Sequence, residues 1–415
     1  MVMKRGSLLT VGVVLSVAVA GCSDSGGGSP KGAWPGGSST APTPTAAAFP
    51  RDLPAGVRGD PVWSAQLSGT GAVARPVGSS VALITPHDDG GTVEFRDAAT
   101  GAGHATVEVT GEPVATTWHG RPALVAKSVK KTPSDGISPE KTAWLIDAFD
   151  EQGRHIAHKE VPGRDEPRIV DGRQIVQEKG KGNSPGALVI SDAGGDAPAW
   201  RIPCKDYTCA DEGATVAAGI VVHRRGGATS TDPDTLTGFD AGTGTVLWGP
   251  QNLARPAGAT AAADPEVVEQ DSGKLVVAWH EGDWGTPQPH TVTYTVNDPA
   301  TGRLLTTGPK LASSHKSGLA STDGTVLVVA TVATTAAWET GTGKLLWQQA
   351  EDEKRLAPAA VVGTVLYSEN PSVAVDLRTK AVLQGAVADM PRPVGPAHAL
   401  VVVSGNVYVF AVKQS

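Results

Sequence analysis

Three groups of residues carry side chains that could ligate a metal, move a proton or react. His87-Asp88-Asp89 stands directly before Gly90-Gly91, and His280-Glu281 is followed by Asp283 and His290. Imidazoles and carboxylates at such short spacing suit acid–base work or a divalent cation. The neighbouring glycines, Gly90, Gly91, Gly282 and Gly285, mark both places equally as connections between strands. The third group is the cysteines, Cys22, Cys204 and Cys209. Cys204 and Cys209, in PCKDYTC, are an even pair with no further Cys or His nearby at zinc-ligand spacing. A disulfide between them is expected, closing a loop small enough to contribute about 2 kcal/mol in a chain-entropy view. No phosphate-binding G-x-x-x-x-G-K-[ST] loop and no H-E-x-x-H zinc helix occurs. The expectation is a protein without catalytic residues, metal ligands or cofactor.

The first segment is an address rather than part of a fold. Lys4 and Arg5 precede a thirteen-residue apolar stretch, 8–20, which is short against a hydrocarbon core of roughly 30 Å. It ends in Val19-Ala20-Gly21-Cys22, which resembles a bacterial lipobox. That resemblance implies removal of residues 1–21 and a diacylglycerol on the Cys22 thiol. Residues 22–57 then read as a tether rich in Gly, Ser, Pro and Thr. About 30 such residues reach roughly 30 Å root-mean-square, enough to lift a folded domain off lipid headgroups. The chain is thus expected on the extracytoplasmic side of a cell membrane, held by lipid alone. An oxidising space there agrees with a Cys204–Cys209 bridge.

The elements that must position these residues come from 58–415. With 40% hydrophobic residues in 415, disorder is excluded, and a formal net charge of −7 argues against a nucleic-acid or anionic-lipid partner. Gly 51 and Pro 31 make the chain rich in turns, and 10 Trp outnumber 5 Phe. One phrase recurs: a β-branched or aromatic run, an acidic residue, small residues, Thr-Gly, and a second apolar run. It reads FRDAATG at 95–101, FDAGTG at 239–244, VNDPATG at 296–302 and WETGTG at 338–343. More worn copies are VDLRTK at 375–380, FDEQG at 149–153 and SDAGG at 191–195. The acidic marks Asp97, Asp150, Asp192, Asp240, Asp298, Glu339 and Asp376 follow one another at 37 to 58 residues.

The phrase is a turn: an Asp carboxylate accepts backbone N–H groups two residues on, and Gly101, Gly244, Gly302 and Gly343 supply positive φ. Trp200, Trp248 and Trp347 each stand eight residues after an acidic mark, and Trp63 has the same local flavour without one. A large aromatic at one place per repeat suits packing between repeats. Each period has room for four short strands, as in TAAADPEV, KLVVAWH, HTVTYTV and RLLTTG, and that is a propeller blade. The last repeat lacks an outer strand, and Trp63 lies in an orphan one. Joining them gives an all-β, eight-bladed β-propeller closed by its termini; seven blades is the alternative if the Asp192 copy is spurious.

D-x-x-T-G followed by an apolar run and Trp resembles the PQQ-like propeller repeat of the quinoprotein alcohol dehydrogenase-like superfamily, over about 61–412. The resemblance implies eight blades with Trp248 and Trp347 docking between them. It makes Asp97, Asp240, Asp298, Glu339 and their glycines structural. Catalytic members stack pyrroloquinoline quinone on an adjacent Cys-Cys disulfide and bind Ca²⁺, whereas four residues separate Cys204 from Cys209. Many other members are binding or scaffold proteins. The connections opposite the acidic turns are long in four consecutive blades, at 127–141, 179–185, 224–235 and 281–290, and long loops on a rigid scaffold are where binding lives. The function expected is therefore a monomeric, non-catalytic binding or scaffold module for an envelope protein or solute. Trp284 is its expected contact, and a quinoprotein-like dehydrogenase or other propeller enzyme is the alternative.

Overall fold

The computed structural model describes residues 46–413, apart from 135–139, 164, 182–183, 196–198, 206–208, 210–212, 227–232, 269–273, 283–289, 314–318, 323 and 332. Cys22 and Trp284 lie outside the described residues. Every regular element within them is a strand, and the strands form eight four-stranded sheets. Blades 1 to 7 cover 73–110, 112–162, 168–203, 213–248, 264–313, 319–348 and 358–384. Their strands follow in chain order, A on the inside to D on the outside. Blade 8 takes Arg392–Val394, His398–Val403 and Asn406–Val412 from the C-terminus and its outer strand, Val57–Gln66, from the N-terminus. Trp63 pairs with Val409 in that closing ladder. The Asp192 copy belongs to a complete blade 3, so the ring has eight blades and not seven.

The strand pattern follows from this packing. Each sheet has a neighbour on both faces, so central strands are buried on both sides, as in Leu275–Glu281, where every residue is buried. The outer strand His155–Pro162 instead alternates with solvent. There is consequently no single core. The buried apolar residues form eight clusters, one in each seam between blades.

Each acidic turn joins strands C and D. In blade 4, Oδ1 of Asp240 accepts the N–H of Gly242 (3.0 Å), the N–H of Thr243 (2.7 Å) and the Thr243 hydroxyl (2.8 Å). The Thr243 hydroxyl and N–H, then that of Gly242, outweigh slight burial and hold Asp240 below the usual carboxylate range. Asp97 and Asp376 make the same three bonds. In the worn copy Lys380 takes the left-handed conformation, φ 62°, that glycine adopts elsewhere.

The indoles reach these turns from the preceding blade. Trp63, Trp200, Trp248 and Trp347 donate Nε1–H to the carbonyls of Ala98 (3.0 Å), Ala241 (3.4 Å), Pro299 (2.9 Å) and Leu377 (2.9 Å). Each acceptor is the residue after the next blade's acidic mark. The turn glycine serves this contact twice. Gly244 and Gly302 have positive φ, and a Cβ there would meet the ring of Trp200 at 2.5 Å and of Trp248 at 2.9 Å.

Other seams are filled differently. In blade 2 the residue paired two before the acidic mark is Ala157, and Trp118, from the inner strand Glu112–Trp118, occupies the seam to blade 3. Phe95 fills the seam between blades 1 and 2, and Trp338 that between blades 5 and 6. Between blades 7 and 8 the filler comes from upstream of the ring. Residues 47–56, read in the sequence as the end of the tether, form a strap over this seam. Phe49 stands edge-on to Tyr408 and Phe410, and the Ala55 N–H donates to Gln384 Oε1 at 3.0 Å. The Tyr367 hydroxyl donates to the Ala55 carbonyl, and burial pushes the Tyr367 pKa up, keeping that donor protonated.

Trp63 is fully buried and closes the ring. Trp63→Ala is expected to cost about 3–5 kcal/mol, while Trp63→Phe, which loses the Ala98 hydrogen bond and part of the ring, costs less. The midpoint of urea unfolding measures both; equal midpoints for wild type and Trp63→Ala would contradict the docking role.

Candidate functional site

Because the acidic turns sit at the C–D end of each blade, the B–C and D–A connections share the opposite end. There the B–C connections of blades 2 to 5 lengthen. In blade 2 the B and C strands, Arg121–Thr132 and Lys141–Asp150, stay paired out to Thr132 and Lys141 and carry the hairpin outwards. In blades 3, 4 and 5 the connections span 179–186, 226–234 and 282–289, but only 331–334, 370–371 and 404–405 in blades 6, 7 and 8.

Charged side chains knit this end together. Lys127 pairs with Glu166 across the link to blade 3, Lys130 with Glu160 at 2.8 Å, and Arg201 with Glu178 at 2.7 Å. In blade 4 Arg224 Nε donates to Asp234 at 2.6 Å, and the Asp234 N–H donates to Asp264 of blade 5 at 2.9 Å. Lys131 and Arg225 are exposed. Asp283 and Trp284 fall outside the described residues.

Glu281 is buried rather than displayed. Its carboxylate accepts the Thr260 N–H, the Thr291 hydroxyl at 3.1 Å and the Lys310 ammonium. Burial alone would raise its pKa, but the bonds from Lys310, Thr260 and Thr291 together outweigh it and hold the carboxyl below the usual range. Its neighbour His280 is also buried and lies 3.1 Å from Glu266. His87 is 3.0 Å from Glu108, which also accepts the Thr92 hydroxyl at 2.8 Å. Those bonds, His87 first, lower the Glu108 pKa against slight burial. His87 belongs to blade 1 and His280 to blade 5, on opposite sides of the ring, so the two groups do not form one site.

Cys204 and Cys209 are bridged, with Cα atoms 5.2 Å apart, in the D–A connection between blades 3 and 4. The bridge is buried in the seam among Ile175, Leu188, Ile202 and Val221. A disulfide of separated cysteines packed between blades offers no platform at the ring axis for a quinone, so these residues do not fit that cofactor. One motif expected to be absent is present in the sequence: Gly182-Asn183-Ser184-Pro185-Gly186 spells the nucleophile elbow G-x-S-x-G. It links two antiparallel strands of blade 3, and an elbow requires a strand running into a helix.

A further cluster was also missed. Asp147, His155 and His158 of blade 2 bring their ligand atoms within 4.8 Å of one another. Strand alternation hides it, because residues three apart normally face opposite ways.

The fold and its turns define an eight-bladed propeller of D-x-x-T-G repeats. A family model named PQQ_2 and described as outer membrane protein assembly factor BamB matches residues 291–383, from the C strand of blade 5 into the D strand of blade 7. The chain is thus an eight-bladed β-propeller that over 291–383 is similar to PQQ-like propeller repeats. No curated protein matches it. Similar solved structures include the Dos1 propeller, at 14% identity and TM-score 0.44, covering 86% of this chain and 96% of that one. The computationally designed Ika8 protein is 12% identical, with TM-score 0.40 and coverages of 84% and 98%. BamB from Moraxella catarrhalis is 14% identical, with TM-score 0.29 and 81% of each chain covered.

Glu281→Gln is expected to lower stability at neutral pH by about 1–3 kcal/mol, the scale of hydrogen bonds to a charged group, and towards the lower end because Lys310 is half exposed. A depressed folded pKa stabilises above the ordinary glutamate range and loses that contribution as the pH falls through the folded value. The gap in thermal midpoint between wild type and Glu281→Gln should therefore close between neutral and strongly acid pH. A gap independent of pH would contradict this account.

Proposed function

We propose that this chain is a non-catalytic binding or scaffold module of the bacterial cell envelope. In this reading residues 1–21 are removed, Cys22 carries lipid on the extracytoplasmic side, and the following residues tether the propeller 58–415 to the membrane as a monomer. Its B–C end engages an envelope protein or solute, not nucleic acid. The observation that carries the reading is the run of long B–C connections on blades 2 to 5, set on a ring whose other B–C connections are short. The description of the matching family, an outer membrane protein assembly factor, supports an envelope role. The start of the strap supports the geometry. Ala47 donates to Ser64 Oγ at 2.7 Å, near the D–A end of the closing strand, so the tether joins the ring on the side of the long loops.

Trp284 is assigned as the contact anchor, since buried Trp and Arg dominate interface energetics. Trp284→Ala should weaken partner crosslinking in the native membrane at least tenfold while the thermal midpoint moves by less than about 1 °C, in keeping with a small surface effect. Undiminished crosslinking with Trp284→Ala and with the 282–289 connection shortened would sink the proposed face. Oxidation of alcohols or sugars by the purified protein on addition of pyrroloquinoline quinone and Ca²⁺ would overturn the non-catalytic reading.

Cys22→Ser should leave the protein unprocessed or free it from membranes. Metabolic labelling with a fatty acid that failed to mark the wild-type chain would refute the anchor.

A further inference from the structure

At the outer edge of blade 2, Asp147 of the C strand Lys141–Asp150 meets His155 and His158 of the D strand His155–Pro162. Nδ1 of His158 lies 2.8 Å, and Nε2 of His155 2.9 Å, from the same oxygen, Oδ1 of Asp147. The arrangement depends on a bulge. Asp147 pairs with His158 and Ala148 with Ala157, but Phe149 pairs with His155, so Ile156 is an extra residue in the ladder. It returns His155 to the face of His158, and both to the face of Asp147. The His155 ring lies 5.1 Å from that of Phe149. On the third strand the residue opposite Asp147 is Ala126, which brings neither charge nor bulk.

We propose that Asp147, His155 and His158 bind one divalent transition-metal ion of the zinc class. Two imidazoles and one carboxylate are a ligand set of such ions, whereas Ca²⁺ and Mg²⁺ require oxygen ligands throughout. Bonds of about 2.0–2.2 Å at angles between octahedral and tetrahedral separate neighbouring ligand atoms by about 2.9–3.5 Å. The two Asp–His distances, 2.8 and 2.9 Å, stand at the lower edge of that range, and all three ligand atoms lie within 4.8 Å of one another. The ring nitrogens facing Asp147 then give their lone pairs to the ion, and each imidazole carries its proton on the other nitrogen. The histidine side chains are 47% and 56% exposed. The remaining coordination positions are therefore open to water or to a ligand from another molecule. This inference stands apart from the long loops and from the lipid.

The test is zinc titration of the purified, chelator-stripped full-length chain by calorimetry, with Co²⁺ absorption as a reporter of geometry. The expected result is one equivalent bound at micromolar or lower concentration. Affinity should fall at least tenfold in His155→Ala, in His158→Ala and in Asp147→Asn, with the metal-free thermal midpoint unchanged. Should an alanine variant fail to fold, His155→Gln and His158→Gln keep the size of the side chain while removing the ligand. No stoichiometric zinc binding, zinc affinity undiminished in the double variant His155→Gln/His158→Gln, or displacement of zinc by Ca²⁺ would each overturn the assignment.

Discussion

The indole N–H that reaches from one blade's outer strand to the first carbonyl of the next blade's acidic turn is the contact around which the ring is organised. Everything in the repeated phrase prepares that carbonyl. The aspartate oxygen gathers the turn's N–H groups, so the loop has one shape. The threonine hydroxyl adds a second hold, and at Gly244 and Gly302 glycine leaves the space an indole needs. A flexible turn would present the same oxygen in many places, and the tryptophan would have nothing fixed to dock against. Local turn chemistry and inter-blade packing are thus one device, and the repeat couples each blade to its neighbour rather than to a common centre.

That coupling explains why seams without the usual tryptophan still close. Where a small residue takes its position, a large one arrives from another strand: Trp118 from an inner strand, Phe95 and Trp338 from C strands. Interiors pack to near-crystalline density, so seam volume is conserved more strictly than the identity of its donor. Between blades 7 and 8 the donor is the strap, whose Phe49 lies outside any blade.

The turns were legible in the sequence because Asp, Thr and Gly act locally and their spacing is short. Ring closure was legible too, because Trp63 stood in a strand with no partner of its own. The strap was not: a segment of Pro, Arg and Asp around one Phe has the composition of a linker, and only the groove it fills gives it a reason to be ordered. Glu281 was misplaced for a related cause, since a glutamate beside Gly282 reads as exposed until Lys310 and Thr260 arrive from elsewhere. Asp147, His155 and His158 escaped because a bulge reverses alternation, and nothing in HIAH announces which residue will be extra. The bulge accompanies the C–D turn in other blades as well, so the feature that hid the histidines belongs to the repeat itself.

The strap also decides how the ring bears a mechanical load. A pull on the chain upstream of Ala46 does not fall first on the closing ladder of Val57–Gln66. It meets the Ala47–Ser64 bond, then the aromatic contacts of Phe49, then the Arg51–Asp389 pair, and only beyond Gly56 the strand that completes blade 8. Pulled from that end, these contacts are loaded one after another, as the teeth of a zipper are. The strap thus lies in the load path between the N-terminal side of the chain and the strand that completes blade 8.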